Sequence, residues 1–281
     1  LCSLLLFFLM IKVFFLMYAN PLPDEAYYWL WSKNLDWSYY DHPPLSSWIN
    51  FGLMNFIENK QLQIRILPFF CFIIILIVNV KWVKHLGLDS TDSQIKSSLL
   101  FLTMPMFLMF TTISFPDAVL VLTLFLTSYC FFMFIKGYDE SEIPFLFWYL
   151  SVIFFALSCI SKYNAIVYGV GVLLFALLDQ RLRKLVFSKH LIFGTLIFLI
   201  IQSPIVFWNI KNDLASFNFH LNTRLDSTLN IGIFLKNNFV FFIEFILVTS
   251  PIYCFRLFTE RKGIAFNGLE KKFFSMGIFV L

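Results

Sequence analysis

The sequence predicts an all-α protein, a bundle of helices that cross a membrane. Of its 281 residues, 59% are hydrophobic and only 14% are charged, whereas a typical soluble domain carries about 25% charge. The mean hydropathy is +0.79, and the apolar segments approach the roughly 20 residues that a helix needs to cross a bilayer. These observations indicate a polytopic transmembrane bundle whose main solvent is membrane lipid.

The predicted bundle begins with an apolar segment from Leu4 to Tyr18. No basic residues precede it and no small-residue cleavage site follows before Asn20, so we expect a membrane helix rather than a secretion signal. Hydropathy and helix breakers place further spans at about 66–84, 98–113, 118–136, 144–160, 164–179, 190–208 and 239–258, with a shortened one from 273. We expect a single module over residues 1–281 that is truncated at both ends.

A short connection separates the predicted spans 98–113 and 118–136. It runs only from Ser114 to Asp117, which is too little chain to reach far beyond the membrane. Pro116 breaks the helix there, and backbone freed at that depth is tolerated where it faces protein or a water-filled cavity. We therefore expect Asp117 to lie at or just inside the membrane interface.

The loop 20–65 after the first span is predicted to contain two interfacial helices. Asp24 and Glu25 follow Pro23, and acids in the first turn of a helix are favoured by the helix dipole. The aromatic residues that come next suit a helix lying in the membrane interface. A second interfacial helix is expected from the paired prolines at 43 and 44 to about Ile57.

Lysine and arginine are divided unequally between the two sets of alternate loops. Thirteen lie on one side, in short loops: Lys81, Lys84, Lys96, Lys136, Arg181, Arg183, Lys184, Lys189, Arg256, Arg261, Lys262, Lys271 and Lys272. Seven lie on the other side, in longer loops: Lys33, Lys60, Arg65, Lys162, Lys211, Arg224 and Lys236. By the positive-inside rule the thirteen are cytoplasmic. The loops 20–65 and 209–238 are therefore expected on the periplasmic or extracellular side of a plasma (inner) membrane, while Lys12, within the first span, is unassigned.

Ionisable side chains from separate loops thus fall on one external face. They are Asp24, Asp41 and His42 at the entrance of the second interfacial helix, Asp117, and Lys162. Charge is scarce in this chain, so its concentration on one face indicates a polar site at the membrane surface. We expect the three aspartates and Lys162 to converge there.

Each of these residues also has a purely structural interpretation. Asp24 and Asp117 are of a type that caps helices in any protein, and Glu25 can be a solvated or capping partner. Lys162, next to the end of a span, can extend its ammonium to the interface, and His42 can be a hydrogen-bonded interfacial histidine. Sequence position alone does not separate these roles from catalytic ones.

Six segments, in order along nearly the whole chain, resemble one group of glycosyltransferases. They are Asp24-Glu25-Ala26-Tyr27-Tyr28, Tyr40-Asp41-His42-Pro43-Pro44-Leu45, Phe115-Pro116-Asp117-Ala118, Ser161-Lys162-Tyr163-Asn164-Ala165, Ser203-Pro204 through Trp208-Asn209, and Ala215-Ser216-Phe217. They look like the bacterial branch of the protein O-mannosyltransferase and lipid A aminoarabinose transferase group, within glycosyltransferase family 39. The resemblance implies the GT-C fold, a transmembrane helical bundle.

The resemblance also implies an activity. Such enzymes transfer a sugar from a polyprenyl-phosphate donor to an acceptor on the outer side of the membrane, with inversion at the anomeric carbon; here the acceptor would be an envelope glycan, lipid or protein. Asp24 matches the family's catalytic acidic residue, which acts as general base toward an acceptor hydroxyl. Asp117 matches a second acidic position that orients the acceptor, stabilises positive charge on the sugar or holds a divalent cation. A divalent cation bound by Asp24 and Asp117 is thus a possible cofactor, and no other cofactor is expected.

The lipid phosphate of such a donor is expected to need cationic partners. The candidate cations are His42, Lys162 and Arg224. Glu25, Tyr28 and Asp41 are further candidate substrate-binding residues. The lipid A branch has lysine where this chain has His42, and often arginine where this chain has Tyr27. Both differences remove permanent charge from the expected phosphate site, so the sugar and the acceptor stay open.

Other classes of function fit the sequence less well. Neither a Walker-type Gly-x-x-x-x-Gly-Lys nor a Gly-x-Gly-x-x-Gly motif occurs, and the net charge of +4 reflects cytoplasmic loops, so we expect no nucleic-acid partner. A transporter or flippase is the alternative; it predicts charges near the bilayer midplane, where this chain has little besides Lys12. The five cysteines have no metal-ligand spacing and are expected to be buried packing residues.

Overall fold

The computed structural model describes residues 1–139 and 145–223, and every regular element in these ranges is helical, as predicted. The elements are α1 (Cys2–Tyr18), α2 (Pro23–Lys33), α3 (Leu45–Met54), α4 (Lys60–His85), α5 (Thr91–Leu102), α6 (Pro105–Phe110), α7 (Pro116–Asp139), α8 (Phe145–Cys159), a 3-10 turn (Tyr163–Ala165), α9 (Ile166–Leu178), α10 (Arg183–Val186), α11 (Lys189–Lys211), α12 (Ala215–Asn218) and a π-helical turn (Phe219–Thr223). The predicted spans at 239–258 and from 273 lie outside the described residues, as do Arg224 and the rest of the loop 209–238 after Thr223.

Three helices in the described ranges are long and apolar enough to cross a membrane: α4, α7 and α11. A fourth span results if α1 and α2, which meet at a bend of 69°, are taken together. The shorter apolar helices α8 and α9 also match predicted spans. Length and composition thus make the chain a membrane protein.

One predicted span was wrong as a single helix. The segment 98–113 is divided between α5 and α6, with a break at Thr103 and Met104. Pro105 causes the break, because proline lacks the backbone N–H of the helical ladder and its ring clashes with the preceding turn. Two boundaries also differ from the prediction, since α4 begins at Lys60 and α3 ends at Met54.

The core is made by α4, α7 and α8. Phe72 and Ile75 of α4 and Val119 of α7 have no exposed surface, and α3, α6 and α11 pack against the same cluster. A second cluster surrounds Phe134 of α7 and Trp148 of α8. In lipid such helices are held together by close packing and by polar contacts between them. The buried polar contacts of this bundle therefore show which helices are fixed relative to one another.

The cysteines behave as predicted at three positions and not at a fourth. Cys71, Cys130 and Cys159 are buried and unpaired. Cys2 is exposed, so the expectation of a buried packing residue was wrong there, because it lies on an outer face of α1. Cys254 lies outside the described residues.

The helices bring the basic loops to one end of the bundle. Lys136, near the end of α7, donates to the carbonyl of His85 at the end of α4 (3.3 Å). The hydroxyl of Tyr138 donates to the carbonyl of Arg181, which precedes α10 (3.2 Å). These four residues therefore lie together, as alternating loops require.

The opposite end holds the segments in which the acids occur. The N–H of Leu45 at the start of α3 donates to the carbonyl of Ile160 (3.0 Å). The hydroxyl of Ser161 donates to the carbonyl of Pro116 at the start of α7 (2.9 Å). The first loop, the start of α7 and the segment after α8 thus meet at this end.

Candidate active site

The start of α2 places two neighbouring acids in different surroundings. Pro23 is the first residue of the helix, and Glu25 accepts a hydrogen bond from the N–H of Leu22, the capping residue (2.8 Å). Glu25 is completely buried, whereas Asp24 is exposed. Asp24 has no hydrogen bond or ion pair to any residue that the structure describes. Of the two, Asp24 is the one open to a substrate.

Glu25 joins three segments of the chain. Arg65 of α4 donates to both of its oxygens, from Nε at 2.8 Å and from Nη2 at 2.7 Å. The N–H of Ser114, before α7, donates to Oε1 at 2.9 Å. Every partner of this carboxylate is internal, so the expectation that Glu25 contacts substrate finds no support in the geometry. It caps the helix, and it is not solvated.

The pKa of Glu25 follows from these contacts. Burial disfavours the charged form and raises the pKa, but the Arg65 guanidinium and the two backbone N–H donors outweigh it. The net effect lowers the pKa below that of an ordinary glutamate. Glu25 is therefore ionised at neutral pH and forms a buried pair with Arg65.

Tyr28, one turn further along α2, lies at the centre of the acidic groups. Its ring makes edge contacts with His42 (5.6 Å between centroids) and Phe115 (6.1 Å). Burial raises the pKa of its hydroxyl, and the negative charges of Asp41, Asp24 and Asp117 raise it further. The two ring contacts place Tyr28 beside the segments that carry Asp41 and Asp117, and its own helix carries Asp24.

Asp41 and His42 form one side of this cluster. The hydroxyl of Tyr27 donates to Asp41 Oδ1 (3.3 Å), and His42 Nδ1 lies 3.7 Å from Oδ2. Burial raises the pKa of Asp41, but the imidazole and the Tyr27 hydroxyl lower it more, so the carboxylate is charged at neutral pH. His42 is buried, and its Nδ1 has no hydrogen-bond partner within the described part of the chain. An imidazole held in this way can turn toward an anionic ligand.

Asp117 and Lys162 form the other side. Lys162 Nζ donates to Asp117 Oδ1 at 2.7 Å, and both side chains are partly exposed. The bond from Ser161 to the carbonyl of Pro116 sets the two segments side by side. A lysine ammonium has three N–H donors, so pairing with Asp117 leaves donors for a second anion.

The end of α11 and the segment after it contact the first loop. Trp208 Nε1 donates to Asp36 Oδ2 (2.8 Å), and the ring of His220 is 3.0 Å, through Nε2, from the carbonyl oxygen of Asp41. Tyr163, which follows Lys162, shares a hydrogen bond with Ser216 (2.9 Å). These contacts bring residues 208–220 to the site. Arg224, a predicted substrate-binding residue, lies just outside the described residues.

Comparison with known protein families identifies the chain. The model of the dolichyl-phosphate-mannose-protein mannosyltransferase family matches residues 41–208, more than half of the sequence. The chain belongs to this family. It is therefore a membrane glycosyltransferase of the mannosyltransferase type. Comparison with curated proteins and with solved structures found no match.

The match includes most of the site of this mannosyltransferase-family protein. Asp41, His42, Asp117 and Lys162 lie within the matched residues, which begin after Asp24. The family predicted from the sequence is thus confirmed. The subgroup, a bacterial branch that includes the lipid A aminoarabinose transferases, stays a prediction.

A divalent cation does not fit the acidic groups of this family member well. Among the described residues no three His, Cys, Asp or Glu side chains are grouped as a metal site. Asp117 Oδ1 already accepts the ammonium of Lys162, which competes with a cation for that oxygen. The mechanism proposed below has no step through a metal ion.

Two members of the site escaped the sequence-based prediction. Arg65 was counted only as a loop cation, although an arginine beside an apolar span needs a carboxylate partner when buried; Glu25 was the nearby candidate. His220 gave no sequence signal, because its partner Asp41 is 179 residues away in the chain.

Proposed function

We propose that this glycosyltransferase moves a sugar from a polyprenyl-phosphate donor to a hydroxyl of an envelope glycan, lipid or protein. The reaction would take place on the non-cytoplasmic face, with inversion at the anomeric carbon. The supporting observation is the group of three carboxylates around Tyr28, with Lys162 paired to one of them and Asp24 exposed. The site thus has a carboxylate for the acceptor and cationic donors for the departing phosphate.

Asp24 is the proposed general base. Its carboxylate accepts the proton of the acceptor hydroxyl while that oxygen bonds to the anomeric carbon and the bond from this carbon to the phosphate oxygen breaks. A carboxylate is a weak base, so the rate depends on holding the acceptor close to the anomeric carbon, where positive charge develops in the transition state. The neighbouring carboxylate, Glu25, is not available as the base, because its oxygens accept hydrogen bonds from Arg65, Leu22 and Ser114.

The leaving group is a lipid phosphate, which needs hydrogen-bond donors. Lys162 retains donors after pairing with Asp117, and His42 is buried beside Tyr28. The raised pKa of Tyr28 keeps its hydroxyl protonated at neutral pH, so it too can donate to the phosphate. Arg224 is a further proposed donor on sequence grounds alone.

The lipid tail of the donor needs an apolar surface near this site. A cavity of about 270 Å³ lies among α7 to α11 and is lined almost entirely by apolar side chains. Ile166, one of its lining residues, follows Lys162 by one helical turn. A polyprenyl chain has the chemistry that this cavity accepts, and its phosphate would then lie toward Lys162.

The test is the Asp24→Asn variant of the full-length protein, assayed in membranes with a radiolabelled polyprenyl-phosphate mannose. Loss of a general base costs about 10²- to 10⁴-fold in rate, so we expect transfer to fall by that factor at unchanged membrane insertion. Asp92→Asn is the matched control, since this aspartate is exposed and pairs with Lys96 on α5. Normal transfer by Asp24→Asn would remove Asp24 from the mechanism, and movement of the labelled donor across the membrane without transfer would favour a flippase.

A further inference from the structure

Lys12 is buried in the middle of α1. It is 2% exposed and all of its ammonium donors have acceptors. Nζ donates to the carbonyl of Thr111 (2.9 Å), to Thr111 Oγ1 (2.7 Å) and to Thr112 Oγ1 (2.9 Å). It also lies 4.4 Å from the centre of the Phe72 ring. A charge placed this deep in an apolar helix is costly and marks a function by default.

A direct role of Lys12 in ligand binding does not fit the space around it. The nearby cavity, lined by Lys12, Arg65, Thr111 and neighbouring side chains, has a volume of about 10 Å³. A cavity of this size holds about one water molecule and no sugar or phosphate. With three acceptors in place, the ammonium also has no donor left for a substrate. Lys12 therefore acts through Thr111 and Thr112.

The two threonines begin the connection between α6 and α7. This connection follows the helix break at Pro105 and leads into Pro116 and Asp117. Such non-helical backbone within a membrane needs internal hydrogen-bond partners. Lys12 supplies donors at the first two residues of the connection, and Glu25 accepts from the N–H of Ser114 three residues before Asp117.

We propose that Lys12 is a positioning residue for glycosyl transfer. By holding Thr111 and Thr112 it sets where α7 begins, and so it sets the distance of Asp117 from Lys162 and the substrate. The inference rests on the proposed function and on the role that the family resemblance gives to Asp117, which is to orient the acceptor or to stabilise positive charge on the sugar. Misplacement of a reacting group by about 1 Å can cost about 100-fold in rate. The hydrogen bonds of Lys12 to Thr111 and Thr112 are therefore expected to affect the rate, although they lie away from the reacting atoms.

Lys12→Met keeps an unbranched side chain, one atom shorter than that of lysine, and removes its three donors. We expect kcat to fall about 10- to 100-fold, with the KM for the polyprenyl-phosphate donor within about twofold of the wild-type value, because Lys162 and His42 are untouched. Tyr149→Phe is the control: it removes a partly buried hydrogen bond to His190 between α8 and α11, away from the connection, and should leave kcat unchanged. Wild-type kcat in Lys12→Met, or a raised KM at unchanged kcat, would overturn the proposal.

A second pair of variants covers the case in which Lys12→Met does not accumulate in the membrane. Thr112→Val replaces one acceptor of the ammonium by a methyl group, and Thr112→Ser keeps the hydroxyl and loses the methyl group of the threonine. We expect a severalfold lower kcat in the valine variant and near wild-type kcat in the serine variant. Equal kcat in the two variants would show that the hydroxyl does not transmit the position of Lys12.

Asp117→Asn distinguishes this inference from the proposed function. If it abolishes transfer while Lys12→Met is fully active, the function stands and the role of Lys12 fails. If Asp117→Asn is fully active, the proposed role of Asp117 fails, and the inference fails with it.

Discussion

Asp24 and Glu25 are adjacent in the sequence and have opposite surroundings. Consecutive side chains on a helix point about 100° apart, so α2 turns Glu25 into the protein and leaves Asp24 at the surface. The buried carboxylate holds Arg65 and Ser114, and the exposed one is available to a substrate. One residue thus supports the site while its neighbour is the proposed base.

The buried pair between Glu25 and Arg65 gives a stability prediction. Glu25→Gln leaves the Arg65 guanidinium buried without its anion, and breaking such a pair costs about 3–5 kcal/mol. We expect a clearly lower midpoint of thermal unfolding in detergent than for the wild type. Asp92→Asn, which breaks only the exposed pair with Lys96, should change the midpoint little; equal effects of the two variants would contradict the prediction.

The same pair sets the response of the wild type to acid. The pKa of folded Glu25 is lowered, so its contribution to stability is complete above the ordinary glutamate pKa of about 4.3 and is lost as the pH falls through the lower folded value. Glu25→Gln should therefore show a smaller loss of stability between about pH 5 and pH 3. An unchanged acid dependence of the unfolding midpoint would argue against an ionised Glu25.

The helix boundaries depend mainly on local chemistry, and proline explains the clearest of them. Pro23 and Pro116 each begin a helix close to where the sequence predicted one. Pro105 divides the segment 98–113 into α5 and α6. Hydropathy alone predicts that segment as one continuous helix. It measures only how apolar the residues are, and a helix break changes the backbone conformation without changing the composition.

The contact between the Phe155 ring of α8 and helix α9 depends on a glycine. A Cβ added at Gly169 would overlap the ring of Phe155, whereas one added at Gly52 of α3 would meet no atom within 4 Å. Gly169→Ala must displace the ring, so we expect it to destabilise the protein by about 1–3 kcal/mol. Gly52→Ala is the control and should be neutral or stabilising by up to about 1 kcal/mol. Unfolding in detergent measures both; a neutral Gly169→Ala would show that the two helices separate freely.

The molecule as a whole separates its charges between two ends. Among the described residues, the basic loops that follow α4 and precede α10 meet at the end of α7, and the acidic cluster lies where α2, α3 and α7 begin. The positive-inside rule turns this arrangement into a proposed orientation, with the site on the outer face.

Labelling of single cysteines tests that orientation. In a chain whose five native cysteines are replaced by alanine, Trp37→Cys and Lys184→Cys each place a thiol at an exposed position, one at either end of the bundle. We expect a membrane-impermeant maleimide to label Trp37→Cys in intact cells and Lys184→Cys only after permeabilisation. The reverse pattern would place the site in the cytoplasm, where a nucleotide sugar is an accessible donor.

Several properties of this protein could be predicted from local features of its sequence. The composition indicated a membrane protein, and prolines and acidic residues indicated where helices start. The motifs, in order along the chain, indicated the family. Only the tertiary structure shows that Glu25 binds Arg65 and Ser114 and is not exposed to a substrate. It also shows the partners of Lys12 and the contact of His220 with Asp41. These contacts join residues 40 to 179 positions apart, and a single sequence shows no periodicity or spacing across such distances, because the pairing depends on how the helices pack.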